Sequence, residues 1–436
     1  MKITLALGAL VSMTCALGAQ VRPVSPRDSA ARADSIARAD SLALIKEIEE
    51  MQHGAADTAS PPPMTPGQGP INPRLIPDIS AIGDVVADFS PSGSTIEGGR
   101  RFDIREVELA LSSAVDPYFR ADFILGISDL EGIAVEEAYA TANALPWAML
   151  ARIGRFHMPI GKQNTTHRAE LQTVEYPHVI QRFLGPEGGK GTGLWFSKIF
   201  APFGFYQELQ ATVVDHLGES DEGEDLEATE PGNKSLGGLG YSARLRNYWD
   251  LSEAANLELS ASAATSRRTQ PLLCSGLAAC PGIDGVPGIN ARQSLFGADL
   301  TFRWRPLERG LYKSFIAQAE YIRQANQDDP TVPAQFGTNT EYLGPRRDVS
   351  GAYVFARYQL GRRTHIGSRF DWIGEDDTGD AGSVRAVSAY LQFFPSEFSK
   401  LVAAYERFMP GGGADRTNRL LLQMTFAVGP HRPHPF

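Results

Sequence analysis

The chain has 436 residues, with 41 Lys and Arg against 51 Asp and Glu and a formal net charge of -10. That acidic balance argues against nucleic-acid binding, which needs a basic face for phosphate. A mean hydropathy of -0.20 with 42% hydrophobic residues and 43 Gly suits either an exported globular protein or a porin-type barrel. Beyond the N-terminal segment no stretch approaches the roughly 20 apolar residues of a membrane helix, so any membrane crossing must be made by strands.

In chain order, residues 1–19 read as a signal peptide: Met1-Lys2, the apolar run Ile3 to Met13, then small residues from Ala16 to Ala19 with cleavage after Gly18 or Ala19. Lipidation of Cys15 is disfavoured because Ser12 stands where a lipobox wants Leu. Residues 20–60 form a helical or disordered periplasmic arm, with Arg32-Ala-Asp-Ser-Ile-Ala37 repeated as Arg38-Ala-Asp-Ser-Leu-Ala43. This six-residue period rotates the apolar positions around a helix, so a short coiled coil that helps trimerise the protein is the alternative to a solvated arm. The Pro/Gly-rich residues 61–77 read as an extended linker.

From Asp78 to Phe436 the hydrophobic period becomes two. Val107, Leu109 and Leu111 oppose Glu106 and Glu108; Phe119, Phe123, Leu125 and Ile127 oppose Arg120 and Asp122. Leu257, Leu259, Ala261 and Ala263 alternate with Glu258, Ser260 and Ser262, and Phe296 to Trp304 alternate with Asp299, Thr301 and Arg303. Near the end, Leu420, Leu422, Met424, Phe426 and Val428 alternate with Arg419, Gln423 and Thr425. Each segment is long enough to cross a bilayer as a tilted strand.

The links alternate in length. Short ones fall at Asp116-Pro117, Leu145-Pro146, Ala201-Pro202, Gly361 and Pro395-Ser396, with slightly longer ones near Asp250 and Pro306. Long ones fall at 91–100, 159–190, 217–236, 266–291, 326–347, 375–382 and 410–416; the link near Leu130 is short where a long one is due. Tight periplasmic turns and longer external loops are the layout of an outer-membrane barrel. The expectation is an all-β fold: a transmembrane antiparallel β-barrel of about 16 strands over 78–436, with both termini periplasmic and Phe436 as a terminal aromatic assembly signal. A soluble β-sandwich or propeller is the competing architecture, which residue alternation alone does not exclude; the signal, the strand lengths and the alternation of links together favour the barrel.

The segment Val135-Glu136-Glu137-Ala138-Tyr139, then Ala151-Arg152-Ile153-Gly154-Arg155-Phe156-His157-Met158-Pro159-Ile160-Gly161-Lys162, resembles the phosphate-selective porin O and P family. In that family an acidic-Ala-Tyr strand precedes a Gly-Arg/Lys-Phe-x-x-Pro-Phe-Gly strand end; here Ile160 replaces the second Phe. Glu175-Tyr-Pro-His178 and Gly185-Pro186 through Gly191-Thr-Gly193-Leu194 look like the family's loop and its return into the next strand. The likeness spans roughly 130 to 195. It implies a sixteen-stranded, homotrimeric solute channel with an inward-folded loop narrowing the pore.

Taking the less apolar face of each strand as the lumen gives a candidate lining. Its bases are Arg120, Arg152, Arg244, Arg246, Arg303, Arg357, Arg369, Lys400 and Arg419; its acids are Asp84, Asp88, Glu106, Glu108, Asp122, Glu136, Glu208, Glu258, Asp299, Glu320, Asp371 and Glu406. The sets are comparable, so most are expected to pair or to set up a transverse field, and no lysine ladder for phosphate is visible. The loop at 159–190 holds Lys162, Arg168, Arg182 and Lys190 with His167 and His178, against Glu170, Glu175 and Glu187. If it lines the constriction, a modest anion preference follows; otherwise these groups tie the loop to the wall.

Other features weigh less. Cys274 and Cys280 read as one local disulfide at a loop tip. The acidic run Glu219 to Glu227 reads as a solvated external loop, since it lacks the spacing of a calcium loop. Trp147, Trp195, Trp249, Trp304 and Trp372 are assigned to interface girdles near strand ends. His157, His167 and His178 match no zinc spacing, so no metal and no cofactor are expected. An enzyme would need an activated Ser, Asp or His cluster, and neither a Gly-x-Ser-x-Gly motif nor a close Ser/His/acid grouping is present. The sequence therefore points to a passive porin for small hydrophilic solutes or ions, in contact with lipid and lipopolysaccharide in the outer membrane of a Gram-negative-type bacterium. A structural barrel that tethers through its 20–60 arm is the alternative.

Overall fold

A computed structural model describes residues 77–129, 132–215, 217, 236, 239–270, 289–328, 346–374, 383–410 and 415–429. The signal, arm and linker, the Cys274/Cys280 pair, the acidic run at 219–227 and the Phe436 tail lie outside the described residues.

Sixteen antiparallel strands form one closed ring. They are β1 (Asp78–Asp88), β2 (Phe102–Ala114), β3 (Phe119–Ser128), β4 (Gly132–Leu145), β5 (Met149–His157), β6 (Lys190–Phe200), β7 (Tyr206–Val214) and β8 (Gly240–Ser252). There follow β9 (Ala255–Gln270), β10 (Ile289–Trp304), β11 (Phe315–Asp328), β12 (Arg346–Gln359), β13 (Thr364–Ile373), β14 (Val384–Ser396), β15 (Ser399–Met409) and β16 (Thr417–Val428). Each strand pairs with its sequence neighbours, and β1 closes on β16 in a register running from Ala81 opposite Val428 to Asp88 opposite Leu421. All short links gather at one end of the barrel with the start of β1 and the finish of β16. The long links share the other end, with the 129–131 link as the short exception. We refer to these as the turn end and the loop end.

Alternation on the strands produces two faces of opposite character. On β16, Leu420, Leu422, Met424 and Phe426 are 41 to 46% exposed, while Gln423 between them is 2% exposed. The same outward apolar surface continues through Phe123, Leu209, Leu259, Phe296, Val354, Phe370 and Leu391. A contiguous apolar band of this extent suits hydrocarbon, since exposure to water would cost about 25 cal/mol per Å². Exposed aromatics cluster at the turn end, with Tyr118, Trp147, Phe203, Tyr312 and Phe398 at or beside the turns, as an interfacial girdle requires.

Candidate channel interior

Two irregularities in the wall decide which charges reach the lumen. Between β1 and β2 the register shifts after Asp84 opposite Glu106, so that Val85 faces Ile104 and Arg105 is an extra residue. Between β3 and β4, Ile124 faces Glu137 while Leu125 faces Val135, which makes Glu136 the extra one. A bulge lets adjacent residues project to the same side. Arg105 accordingly meets the inward carboxylate of Asp84, and Glu136 and Glu137 are both buried, Glu136 against Lys190 and Glu137 against the His157 backbone and His167. Strict alternation keeps Arg105 and one of the two glutamates on the lipid side, so Arg105 and Glu137 are absent from the sequence-derived lining.

The link between β5 and β6 folds inward and crosses the lumen. It leaves β5 through Gly161, whose φ of 65° favours glycine and whose missing side chain leaves room for the Glu320 carboxylate of β11. The Lys162 N–H then donates to Glu320 at 3.3 Å, and Gln163 donates to Gln318 at 2.7 Å. Further on, Lys400 of β15 donates to the carbonyls of Ala169 and Leu171 at 3.0 and 2.8 Å, and Gln392 of β14 bonds the Gln172 carbonyl. Arg369 of β13 donates to the Glu175 carbonyl at 2.8 Å. The short helix α1 (His178–Leu184) follows, with the His178 N–H donating to Asp371 of β13 at 3.0 Å and its ring 3.2 Å from Glu406 of β15. Strands β13 to β15 lie half-way round the ring from β5, so the loop is clamped to the wall opposite its root.

An apolar core holds this crossing in place. Met158, Ile160, Leu171, Val174, Tyr176, Val179, Ile180 and Leu184 of the loop are at most 2% exposed and pack with the inward-facing Val86, Phe156, Ile322, Tyr353, Phe355, Tyr390, Val402 and Leu421 of the wall. Burying each large side chain stabilises the docked loop by about 1.5–3 kcal/mol. Trp195 belongs to this core. It is 6% exposed in the middle of β6, and its ring stacks at 4.5 Å beneath the Arg152 guanidinium, which also lies 4.7 Å from Tyr139. Its assignment to an interface girdle is therefore corrected, because Leu194 and Phe196 take the outward positions on β6.

The charged groups fall into two paired sets. On one side Lys162 reaches both oxygens of Glu258 at 3.1 Å, Arg246 bridges Glu208 (2.7 Å) and Glu258 (3.3 Å), Arg303 lies 3.5 Å from Glu258, and Arg244 grips both oxygens of Asp299 at 3.0 Å. On the other side Glu175 takes Arg168 (2.9 Å), Arg105 (3.2 Å) and Arg419 (3.9 Å), while Arg369 pairs with Asp371 at 2.7 Å. Burial alone would raise the Glu175 carboxyl, but Arg168, Arg105 and Arg419 hold it down at about 2. Burial lowers the Lys162 amine to about 8, against the pull of Glu258. Of the loop cations, Lys162 and Lys190 tie the loop to the wall through Glu258 and Glu136, whereas Arg168 pairs within the loop with Glu175 and Glu187.

The remaining candidates are placed as follows. Arg120 is exposed at the turn end, 3.4 Å from Asp122, which accepts from Ser112 at 2.5 Å. Glu106 and Glu136 flank Gly126, and the Glu108 carboxylate lies 3.4 Å from His167. Arg182 lies on α1 with its guanidinium 6.0 Å from the Phe183 ring. Arg357 is buried and donates to Gln392 at 3.3 Å, with no carboxylate partner among the described residues. Arg152 likewise lacks a carboxylate partner among the described residues, whereas Lys400 is attracted by the carboxylates of Asp84 and Glu170; all three cations sit in the turn-end half of their strands. At the loop end a cavity of about 420 Å³ opens between loop and wall, lined by the acids Asp103, Asp129, Glu175, Glu187 and Glu406 and the bases Arg105, Arg168 and Arg419. A second cavity, of about 710 Å³, lies at the turn end, where Arg303, Arg305 and Arg309 outnumber Asp250 and Glu253.

The three histidines His157, His167 and His178 separate. His157 and His167 come together, rings edge to face at 4.9 Å, beside Glu137, while His178 stands apart with Asp371 and Glu406.

No known family's sequence profile matches the chain. It is 26% identical over 354 residues to an uncharacterized protein of Aquifex aeolicus, covering 77% of this chain and 70% of that one. Among solved structures, a loop-deletion form of the Vibrio cholerae outer membrane protein OmpT superposes with a TM-score of 0.52 at 9% identity, over 81% of this chain and 99% of that one. The outer membrane channel DcaP of Acinetobacter baumannii gives 0.50 at 11% identity, over 81% and 96%. Salmonella typhi OmpF, solved with daunomycin, gives 0.50 at 10%, over 81% and 97%. At such identities the likeness is one of fold: the chain has the closed sixteen-strand barrel of these porins.

Proposed function

We propose that the chain is a non-enzymatic outer-membrane porin through which small hydrophilic solutes diffuse passively, by the path left between the crossing loop and the wall. The observation that carries this is the loop itself. It spans a barrel with an apolar exterior, is clamped at its root and at the far wall, and borders a charged cavity at the loop end. The fold shared with a DcaP channel and with OmpF supports the location and the class. The 130–195 resemblance adds the phosphate-selective porin family and a homotrimer to the same reading. Selectivity is a modest preference for anions, set in the turn-end half, where Arg152 and Arg357 have no carboxylate partner among the described residues. Lipid and lipopolysaccharide contact the outer face.

Planar-bilayer recording is the test. Stepwise conductance with a reversal potential displaced toward the anion equilibrium supports the reading, and the absence of steps at any voltage removes it. The alternative of a structural barrel draws on one observation, the apolar core that fills part of the lumen. Silence from the intact chain together with conductance from a loop-deleted one would favour that alternative.

A further inference from the structure

We propose that Glu137, His157 and His167 form a site for one divalent transition-metal ion of the zinc type, which staples the crossing loop to the wall beside its root. The three side chains come from β4, the end of β5 and the loop, and each offers one ligand atom within 4.8 Å of the other two. All three are buried, His157 and His167 at 8% exposure and Glu137 at 6%. An ion at their centre would be held by bonds of about 2.0–2.2 Å.

A second observation points to a ligand. Neither ring nitrogen of His157 makes a hydrogen bond of good geometry, the Asn164 backbone being the polar group that approaches the ring, although the residue is more than nine-tenths buried. An unsatisfied buried polar group costs about 1–3 kcal/mol, and an ion at this position would accept one of those lone pairs. The surroundings complete a metal-site arrangement. Glu137 keeps one oxygen on the His157 backbone N–H at 2.9 Å and sets the other 3.1 Å from His167 Nε2. On the far side of that ring, Glu108 lies 3.4 Å from His167 Nδ1, where it orients the imidazole and raises its basicity as an outer carboxylate does. Glu108 and Glu137 together balance the charge of a divalent ion. Two imidazoles select against calcium and magnesium, which take oxygen donors. The second histidine cluster does not qualify, because it offers one imidazole only and its Asp371 is held by Arg369 at 2.7 Å.

The site is independent of whether solute passes the barrel, so its test uses binding alone. The full chain, purified in detergent and stripped with chelator, is titrated with Co²⁺ by absorption spectroscopy and with Zn²⁺ by calorimetry. The expected result is one equivalent of either ion, ligand-field bands typical of mixed nitrogen and oxygen donors, and a Zn²⁺-dependent rise in the unfolding temperature. His157→Gln removes all three effects, Glu108→Gln weakens binding about 10–100-fold, and His178→Gln binds as the unaltered chain does. His157 makes no well-formed side-chain hydrogen bond, so its replacement is expected to leave the barrel folded, and unchanged electrophoretic heat-modifiability checks this. Failure of the unaltered chain to bind stoichiometrically, or equal binding by H157Q, overturns the proposal.

Discussion

The wall of this barrel and the loop that crosses it are stabilised in opposite ways. Each wall strand is held by ladders to its neighbours, so its partners are set by sequence order and its exposure by a period of two. The crossing loop has almost no regular structure beyond α1. Its carbonyls at Ala169, Leu171, Gln172, Val174 and Glu175 are taken up by Lys400, Gln392, Arg105 and Arg369 from distant strands. The wall can therefore exist without the loop, whereas the loop has no fold without the wall.

That asymmetry can be broken most forcibly by replacing residues 163–187 with a short Gly/Ser linker. The barrel should still migrate as a folded species, and single-channel conductance should rise several-fold; an unfolded product would show the two regions to be one unit. Next in size, Tyr176→Ala removes a buried aromatic at the loop's centre, at a cost of about 3–5 kcal/mol. Limited proteolysis should then cut between 163 and 187 while the strands stay protected. Acidification is a milder perturbation of the same region. Glu175 has a folded pKa of about 2, below its unfolded value of about 4.3, so its stabilising effect is complete above roughly pH 4.5 and is lost as pH falls toward 2. Conductance should become larger and noisier across that window while far-UV circular dichroism stays that of the barrel. Smaller still is the response of Lys162→Glu, which sets two like charges beside one another at Glu258 and should move the reversal potential toward the cation side. Raising the pH through about 8, where Lys162 loses its proton, should move it the same way by less. Smallest of all, Leu422→Ala on the outer face should change thermal unfolding little and conductance not at all, because lipid already covers that position.

How much of this was legible in the sequence follows the same division. Strand alternation in 418–428 and the short and long links fixed the ring, its size and its two ends, because a closed antiparallel sheet leaves so few topologies. A Glu258 or an Arg244 between apolar neighbours has only one face to take, and both side chains are buried at 2% exposure. Parity failed where a bulge intervenes. Nothing around Arg105 or Glu137 signals an inserted residue, because the shift comes from pairing with Asp84 and Ile124 on other strands. Trp195 was misplaced because aromatic residues near strand ends are common at interfaces, and only the loop core explains one that points inward. His157 and His167 match no motif, since His157 reaches Glu137 across the β4–β5 pairing while His167 is brought there by the crossing loop.

The pairing of β1 with β16 brings a further consequence, for the order in which the molecule can be made. Asp88 meets Leu421 and Ala81 meets Val428, contacts between the two ends of the described chain. Such contacts form slowly, because nearly all the intervening polypeptide must be ordered before they are satisfied. The loop's far anchors, Arg369, Lys400 and Arg419, also lie late in the sequence. The strands β13 to β16 that complete the ring thus also carry the loop's far anchors. Closure and constriction are then nearly the same event, so the assembling barrel is never shut while its loop is still unanchored.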